Sequence, residues 1–292
     1  LLIQLAGIVA PVFLLAALGF AWSRLRFPFE RDFVTRIVMN VAAPCLIVDT
    51  LAGLDLPLGD FLRMLGAAGL LFALNAAGAA AVLGLAGARL RFLLPSLTFG
   101  NNGNLGLPLA LFAFGEAGLA LAMAVFVFAA IAQFTLAPSF QSQAPALRTL
   151  ITTPVSYGAV IGLVLLATGA SLPVGLARGI SMLGSVAIPL MLLALGYSLG
   201  GFKPTGFGRA LGYGSLRLVL GFGAALATVQ LLGLDGVSRQ VLLLQGAMPA
   251  AVFNYLLAAR YDRRPQDVAG IVLVSTCLAL FTTPVLLAWL LK

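Results

Sequence analysis

Asn104 and Gln245 each stand four positions before a proline, Pro108 and Pro249, deep inside long apolar stretches. Proline carries no backbone N–H, and its ring clashes with the carbonyl four residues back, so a helix breaks there. The spacing therefore predicts two backbone carbonyls, those of Asn104 and Gln245, released from helical pairing. Three asparagines (Asn101, Asn102, Asn104) set among Gly100, Gly103 and Gly106 make the first stretch poorer still as continuous helix. The second reads Gln245-Gly246-Ala247-Met248-Pro249, with Asn254 and Tyr255 following. The chemistry on offer is non-covalent binding. Carbonyls at the end of a half-helix suit a cation or a hydroxyl, and N–H groups at the start of the next suit an anion. The amides of Asn101, Asn102, Asn104, Gln245 and Asn254 supply both kinds of group. A single such kink reads more simply as amides tying neighbouring helices together. Two at matching places read as a site.

The elements holding these groups must be membrane helices. Apolar residues make up 61% of the 292 positions and charged residues 9%, and the mean hydropathy is +1.10. Soluble chains average about 45–50% apolar and about 25% charged. The pattern predicts an all-α integral membrane protein with ten spans, at 1–22, 33–53, 60–83, 92–115, 117–139, 148–169, 179–200, 210–233, 237–260 and 267–290. The first segment is too long for a signal-peptide core, and its basic flank, Arg24 and Arg26, follows it, so it reads as a retained helix. The chain starts at Leu, so a few upstream residues are expected to be missing. Both breaks fall near the centres of spans four and nine, which places them near the bilayer midplane.

Charge gives the orientation. Arg24, Arg26, Arg31, Arg36, Arg89, Arg91, Arg148, Lys203, Arg209, Arg217, Arg260, Arg263 and Arg264 lie around odd-numbered links. Only Arg63, Arg178, Arg239 and Lys292 lie around even links and the C-terminus. The positive-inside rule then puts both termini outside. The net charge of +8 is this loop bias, not a nucleic-acid surface. Trp22 and Trp289 fall at span ends, where amphipathic rings sit best.

The chain also reads as a duplication, 1–140 and 147–292. Pro11 pairs with Pro154, Pro44 with Pro189, Pro108 with Pro249, and Phe134-Thr135 with Phe281-Thr282, all at offsets of 141 to 147 residues. Five spans per half is an odd number, so the second repeat is inverted. Inverted repeats with broken helices at corresponding positions point to the midplane site of a secondary transporter.

The strings Ala43-Pro44-Cys45-Leu46-Ile47, Asn101-Asn102-Gly103-Asn104-Leu105-Gly106-Leu107-Pro108 and Phe114-Gly115-Glu116-Ala117-Gly118 resemble those of the auxin efflux carrier family of bacterial and plant permeases. The stretch from Met248-Pro249 through Phe281-Thr282 is similar to that family's C-terminal region. The resemblance covers nearly the whole chain. It implies a ten-helix fold related to bile-acid sodium symporters, with helices four and nine crossing at the substrate. It further implies a scaffold of helices 1, 2, 6 and 7, a moving core of helices 3–5 and 8–10, and a homodimer through the scaffold. The candidate substrate-binding residues are then Asn101, Asn102, Asn104, Gly106 and Pro108 from the first break. Gln245, Met248, Pro249 and Asn254 come from the second, with Pro44 added from helix two. Family substrates are organic anions, auxin in plants and small dicarboxylates such as malate, malonate or oxalate in bacteria. The short stretch 140–147 replaces the long central loop of large plant members, which argues for a compact carrier in a bacterial plasma membrane and against auxin.

Asp49 is the one acidic residue well inside a span and is the candidate for coupling to H⁺ or Na⁺. It lies about four residues, roughly 6 Å, from the outer end of its helix, and its repeat counterpart is Ala194, so a solvated interfacial role competes. Arg36 and Arg217 read first as side chains snorkelling to the cytoplasmic interface, and second as counter-charges for a carboxylate. Cys45 and Cys277 read as small core residues. No metal site and no cofactor is expected. The sequence carries no histidine and no nucleotide-binding loop, which argues against an intramembrane enzyme and against direct ATP drive. The leading expectation is an alternating-access permease for a small mono- or dicarboxylate. A sodium-coupled symporter of a larger amphipathic anion is the alternative within this architecture, and a channel or membrane sensor is the alternative outside it. Replacing Asn104 or Gln245 is expected to abolish binding with folding intact.

Overall fold

The computed structural model describes residues 2–53, 57–85, 92–141, 154–201, 206–261 and 263–291. The described residues are nearly all helical. The first half holds α1 (Leu2–Arg24), α2 (Arg31–Ile37), α3 (Ala43–Ala52), α4 (Leu58–Leu85), α5 (Leu94–Thr98) and α6 (Leu107–Gln141). The second holds α7 (Pro154–Thr168), α8 (Val174–Ser185), α9 (Ala187–Gly201), α10 (Phe207–Leu232), α11 (Gly236–Gly246), α12 (Val252–Arg260) and α13 (Pro265–Leu290). Wide π-type turns over Val38–Ala42 and Asn102–Gly106 lead into α3 and α6. Among the described residues no strand forms; one isolated antiparallel bridge joins Gly100 to Ala250.

Among the described residues, five helical stretches are long and apolar enough to cross a membrane: 58–85, 102–133, 174–194, 207–232 and 265–290. Shorter apolar stretches cover 13–24, 40–52 and 156–168. Large apolar side chains stay exposed along several of them, including Leu14, Val160, Met182, Val219 and Phe281. A water-soluble protein would hide surface of this extent, whereas lipid is a good solvent for it.

Local chemistry explains the element ends. Pro44, Pro95 and Pro265 open α3, α5 and α13, where the missing N–H has no intrahelical partner to lose. Gly233 closes α10 in the left-handed conformation, at φ 57°, the usual glycine stop. No loop separates the predicted spans four and five. The chain bends instead at Gly115, whose φ of 69° and ψ of −162° lie where glycine alone is comfortable. The expected span 179–200 is divided at Val186 into α8 and α9. Arg89, Arg91, Arg148, Lys203 and Lys292 of the charge count, and the link at 142–147, lie outside the described residues.

The most extensive helix contacts fall into two groups. In one, α1 runs along α9, and α3 packs on α7 and α8. In the other, α10 packs on α13, α4 and α11, while α6 packs on α4 and α11; contacts between the groups are fewer. Small residues make the first group tight. A Cβ at Gly196 would run into the Ala16 carbonyl, one at Gly19 into the Leu193 carbonyl, and one at Gly158 into Pro44. With no water to expel between helices in lipid, close approach of this kind is what holds them together.

Candidate functional site

The first interruption follows α5, whose last helical residue is Thr98. Phe99 turns to extended geometry at φ −94° and ψ 115°, and the π-type turn at 102–106 feeds α6. The break therefore lies at Phe99–Asn101, upstream of the position expected from Pro108. Pro108 is the second residue of α6, where a proline is tolerated. The carbonyl at the heart of the turn is that of Asn101, which accepts from Leu105 N at 3.3 Å and Gly106 N at 3.1 Å. The second interruption lies where it was expected. Helix α11 ends at Gly246, Met248 N donates to the Gln245 carbonyl at 3.3 Å, and α12 begins at Val252.

The two interruptions meet. Asn101 N donates to the Pro249 carbonyl at 2.7 Å and Ala251 N donates to the Phe99 carbonyl at 3.2 Å. These flank the Gly100–Ala250 bridge and form a minimal antiparallel ladder inside a helical protein. Each unwound segment thereby satisfies main-chain groups of the other, which buried backbone requires. The Ser275 hydroxyl of α13 accepts from Ala250 N at 3.1 Å and braces the ladder from behind.

Side chains complete the joint. Asn102 Nδ2 donates to the Gln245 carbonyl at 3.0 Å and to Gln245 Oε1 at 2.9 Å, so the carbonyl freed by Pro249 is taken by protein. Gly106 has no room for a side chain, because a Cβ there would meet the Gln245 amide. Asn254 Nδ2 donates to the Phe99 carbonyl at 3.1 Å, and Gln133 Nε2 donates to Asn254 Oδ1 at 2.8 Å. Beside this joint lies a cavity of about 60 Å³ lined by Gly100, Asn101, Asn102, Gly103, Asn104 and Gln133, with apolar wall from Phe126, Ala129, Ala130 and residues 251–253 at the head of α12. A single water needs about 10–15 Å³ on this measure, so a small polar ligand group fits. Asn101 Nδ2, Asn102 Oδ1 and Gln245 Nε2 are buried here with no partner. Native structures rarely leave such groups unpaired without a functional or bound-ligand reason.

Of the candidate binding residues, Asn101, Asn102 and Asn104 line the cavity. Gln245, Asn254, Gly106 and Pro249 build the joint around it, and Met248 is buried against Gly100. Pro108 is buried at the head of α6 and does not reach the cavity. Pro44 packs on Gly158, and half-buried Asp49 sits one turn from the end of α3; neither lines the cavity. Two residues carry more than the sequence suggested. Gln133 is a lone amide in the long apolar run of α6, and that isolation was the one available signal. Arg217 does not snorkel. It is 1% exposed in the middle of α10, and its Nη1 donates to the Leu97 carbonyl at 2.9 Å and the Thr98 carbonyl at 3.1 Å.

Crossed, interrupted helices with a small polar cavity at their joint are the architecture of a membrane carrier. A family model described as "Membrane transport protein" matches residues 138–287, just over half of the chain. The chain belongs to that family, which is the auxin efflux carrier family; it is a family of membrane transporters and not of enzymes, and the protein is a multi-pass membrane protein. An "Uncharacterized transporter" of Methanocaldococcus jannaschii is 26% identical over 192 residues, covering 62% of each chain. "Auxin efflux carrier component 1" of Arabidopsis thaliana is 26% identical over 141 residues, 46% of this chain and 22% of the plant protein. A Rhizobium meliloti protein named "Putative malonate transporter" is 26% identical across 97% of this chain and 95% of its own length. The chain thus matches less than two thirds of the archaeal and plant relatives.

Proposed function

We propose that this protein is a secondary active transporter of a small organic anion, a mono- or dicarboxylate of the malonate, malate or oxalate type. The observation that carries the reading is the ladder at Gly100 and Ala250, which holds unpaired amide donors beside a small cavity between two interrupted helices. A carboxylate needs several donors at fixed positions and little volume. Asn101 Nδ2 is buried without a partner there, and Asn102, Asn104 and Gln133 share the cavity wall with apolar side chains. The full-length similarity to the Rhizobium protein agrees with a dicarboxylate of malonate size.

Transport proceeds by alternating access. The group containing α4, α5, α6 and α10–α13 carries the crossing past the group of α1, α3, α7, α8 and α9. Ten spans in two inverted repeats, both termini outside, and residence in a bacterial plasma membrane complete the proposal, together with a homodimer through the group of α1, α3, α7, α8 and α9. The sparse contact between the two packing groups supports relative motion. Purified protein in liposomes loaded with unlabelled malonate is expected to accumulate labelled malonate in a saturable way, with malate and oxalate competing and indole acetate not competing. Uptake that rises linearly with concentration and ignores internal malonate would instead favour a channel.

A further inference from the structure

Resting on that reading, we propose that Arg217 is the fixed counter-charge of the anion site. Its guanidinium is buried in mid-helix, and among the described residues no carboxylate pairs with it, Asp267 being paired with Arg209 and Arg264. A buried unpaired charge is costly and marks function within membrane segments. The Leu97 and Thr98 carbonyls that hold it close half-helix α5, immediately before the ladder. Arg217 Nε has no partner.

Gly100 adjoins both the guanidinium and the cavity. It lines the cavity, and a Cβ on it would run into Arg217 Nη2. The positive charge therefore lies within one residue of the cavity, in surroundings that screen it poorly. Its seat also bears on coupling. Carriers of this broken-helix design hold coupling cations on the carbonyls that end half-helices. Here the α5 end is taken by Arg217, and the Gln245 carbonyl near the α11 end by the Asn102 amide. A resident cation thus does the work that a mobile one does elsewhere, and the anion binds without Na⁺.

The test is malonate-induced thermal stabilisation of the purified protein, in NaCl and in choline chloride at equal ionic strength, for the wild type, Arg217→Lys and Arg217→Gln. Gln keeps donors for the two carbonyls and removes the charge. The wild type is expected to respond equally in both salts. Arg217→Lys should keep the response, and Arg217→Gln should need about tenfold more malonate or greater, with its preference for malonate over neutral malonamide lost. A folded Arg217→Gln that responds as the wild type does overturns the proposal. So does a wild-type response that requires Na⁺, which decides the matter even where Arg217→Gln does not fold. If no carboxylate stabilises the wild type in either salt, the carboxylate reading falls and this proposal falls with it.

Discussion

The backbone N–H of Asn101 donates to the carbonyl of Pro249 at 2.7 Å, joining the interruption in the first half of the chain to that in the second. Proline at 249 can only accept, and it stops α11 from continuing through the crossing. The asparagine comes from a stretch that glycine and amide content already makes a poor helix. Each break thus supplies what the other lacks, and the proposed carrier site is the place where they exchange hydrogen bonds.

Asn102 and Asn104 should separate stability from binding. Asn102→Ala strips the Gln245 carbonyl and Oε1 of the donor they share, at about 1–3 kcal/mol. Thermal unfolding in detergent should fall by roughly 2–4 °C for each kcal/mol. Asn104 is half-exposed on the cavity wall, so Asn104→Ala should unfold as the wild type does and lose its response to malonate. Equal melting of the two variants would show that Asn102 is not the strut of the crossing.

The seam between α1 and α9 should be intolerant of a single methyl. Gly196→Ala places a Cβ on the Ala16 carbonyl, and overpacking of this kind costs typically about 1–3 kcal/mol. Gly66 and Gly223 lie in helices with open space where a Cβ would point. Alanine there should be neutral or stabilise by up to about 1 kcal/mol through helix propensity. Fluorescence-monitored size exclusion after heating ranks the three; a ranking that puts Gly196→Ala level with the others would contradict the packing.

Asp49 is half-buried on α3 and outside the cavity lining. Asp49→Asn is expected to leave malonate counterflow in liposomes unchanged, because counterflow needs only binding and the alternating motion. If Asp49 carries the coupling proton, uptake driven by a pH gradient falls while counterflow persists. Uptake unchanged in both assays removes it from the mechanism.

Much of this architecture was written in the period and punctuation of the chain. Long apolar runs mark helices wherever lipid is the solvent, and a proline with a polar residue four positions earlier marked both interrupted segments. The register of the first break was not legible. Pro108 is compatible either with breaking a helix or with opening one, and only the pairing of Phe99–Asn101 with Pro249–Ala251 decides between them. The role of Arg217 is hidden in the sequence for a related reason. Along the sequence it is a cation a few turns from a helix end, where snorkelling is the default, and the carbonyls that bind it come from the other half of the chain. Gln133 likewise gains its meaning from Asn254, its partner across the fold.

Ligand protection at the crossing tests the central claim most directly. In a Cys45→Ser, Cys277→Ala background, Ala130→Cys places a thiol on the cavity wall, and Ala73→Cys places one in the separate apolar cavity near Phe72 and Phe128. Malonate should slow maleimide labelling at position 130 in a saturable way and leave position 73 unaffected. Labelling at position 130 that is indifferent to saturating malonate, in protein that still exchanges malonate across liposomes, would place the cargo elsewhere.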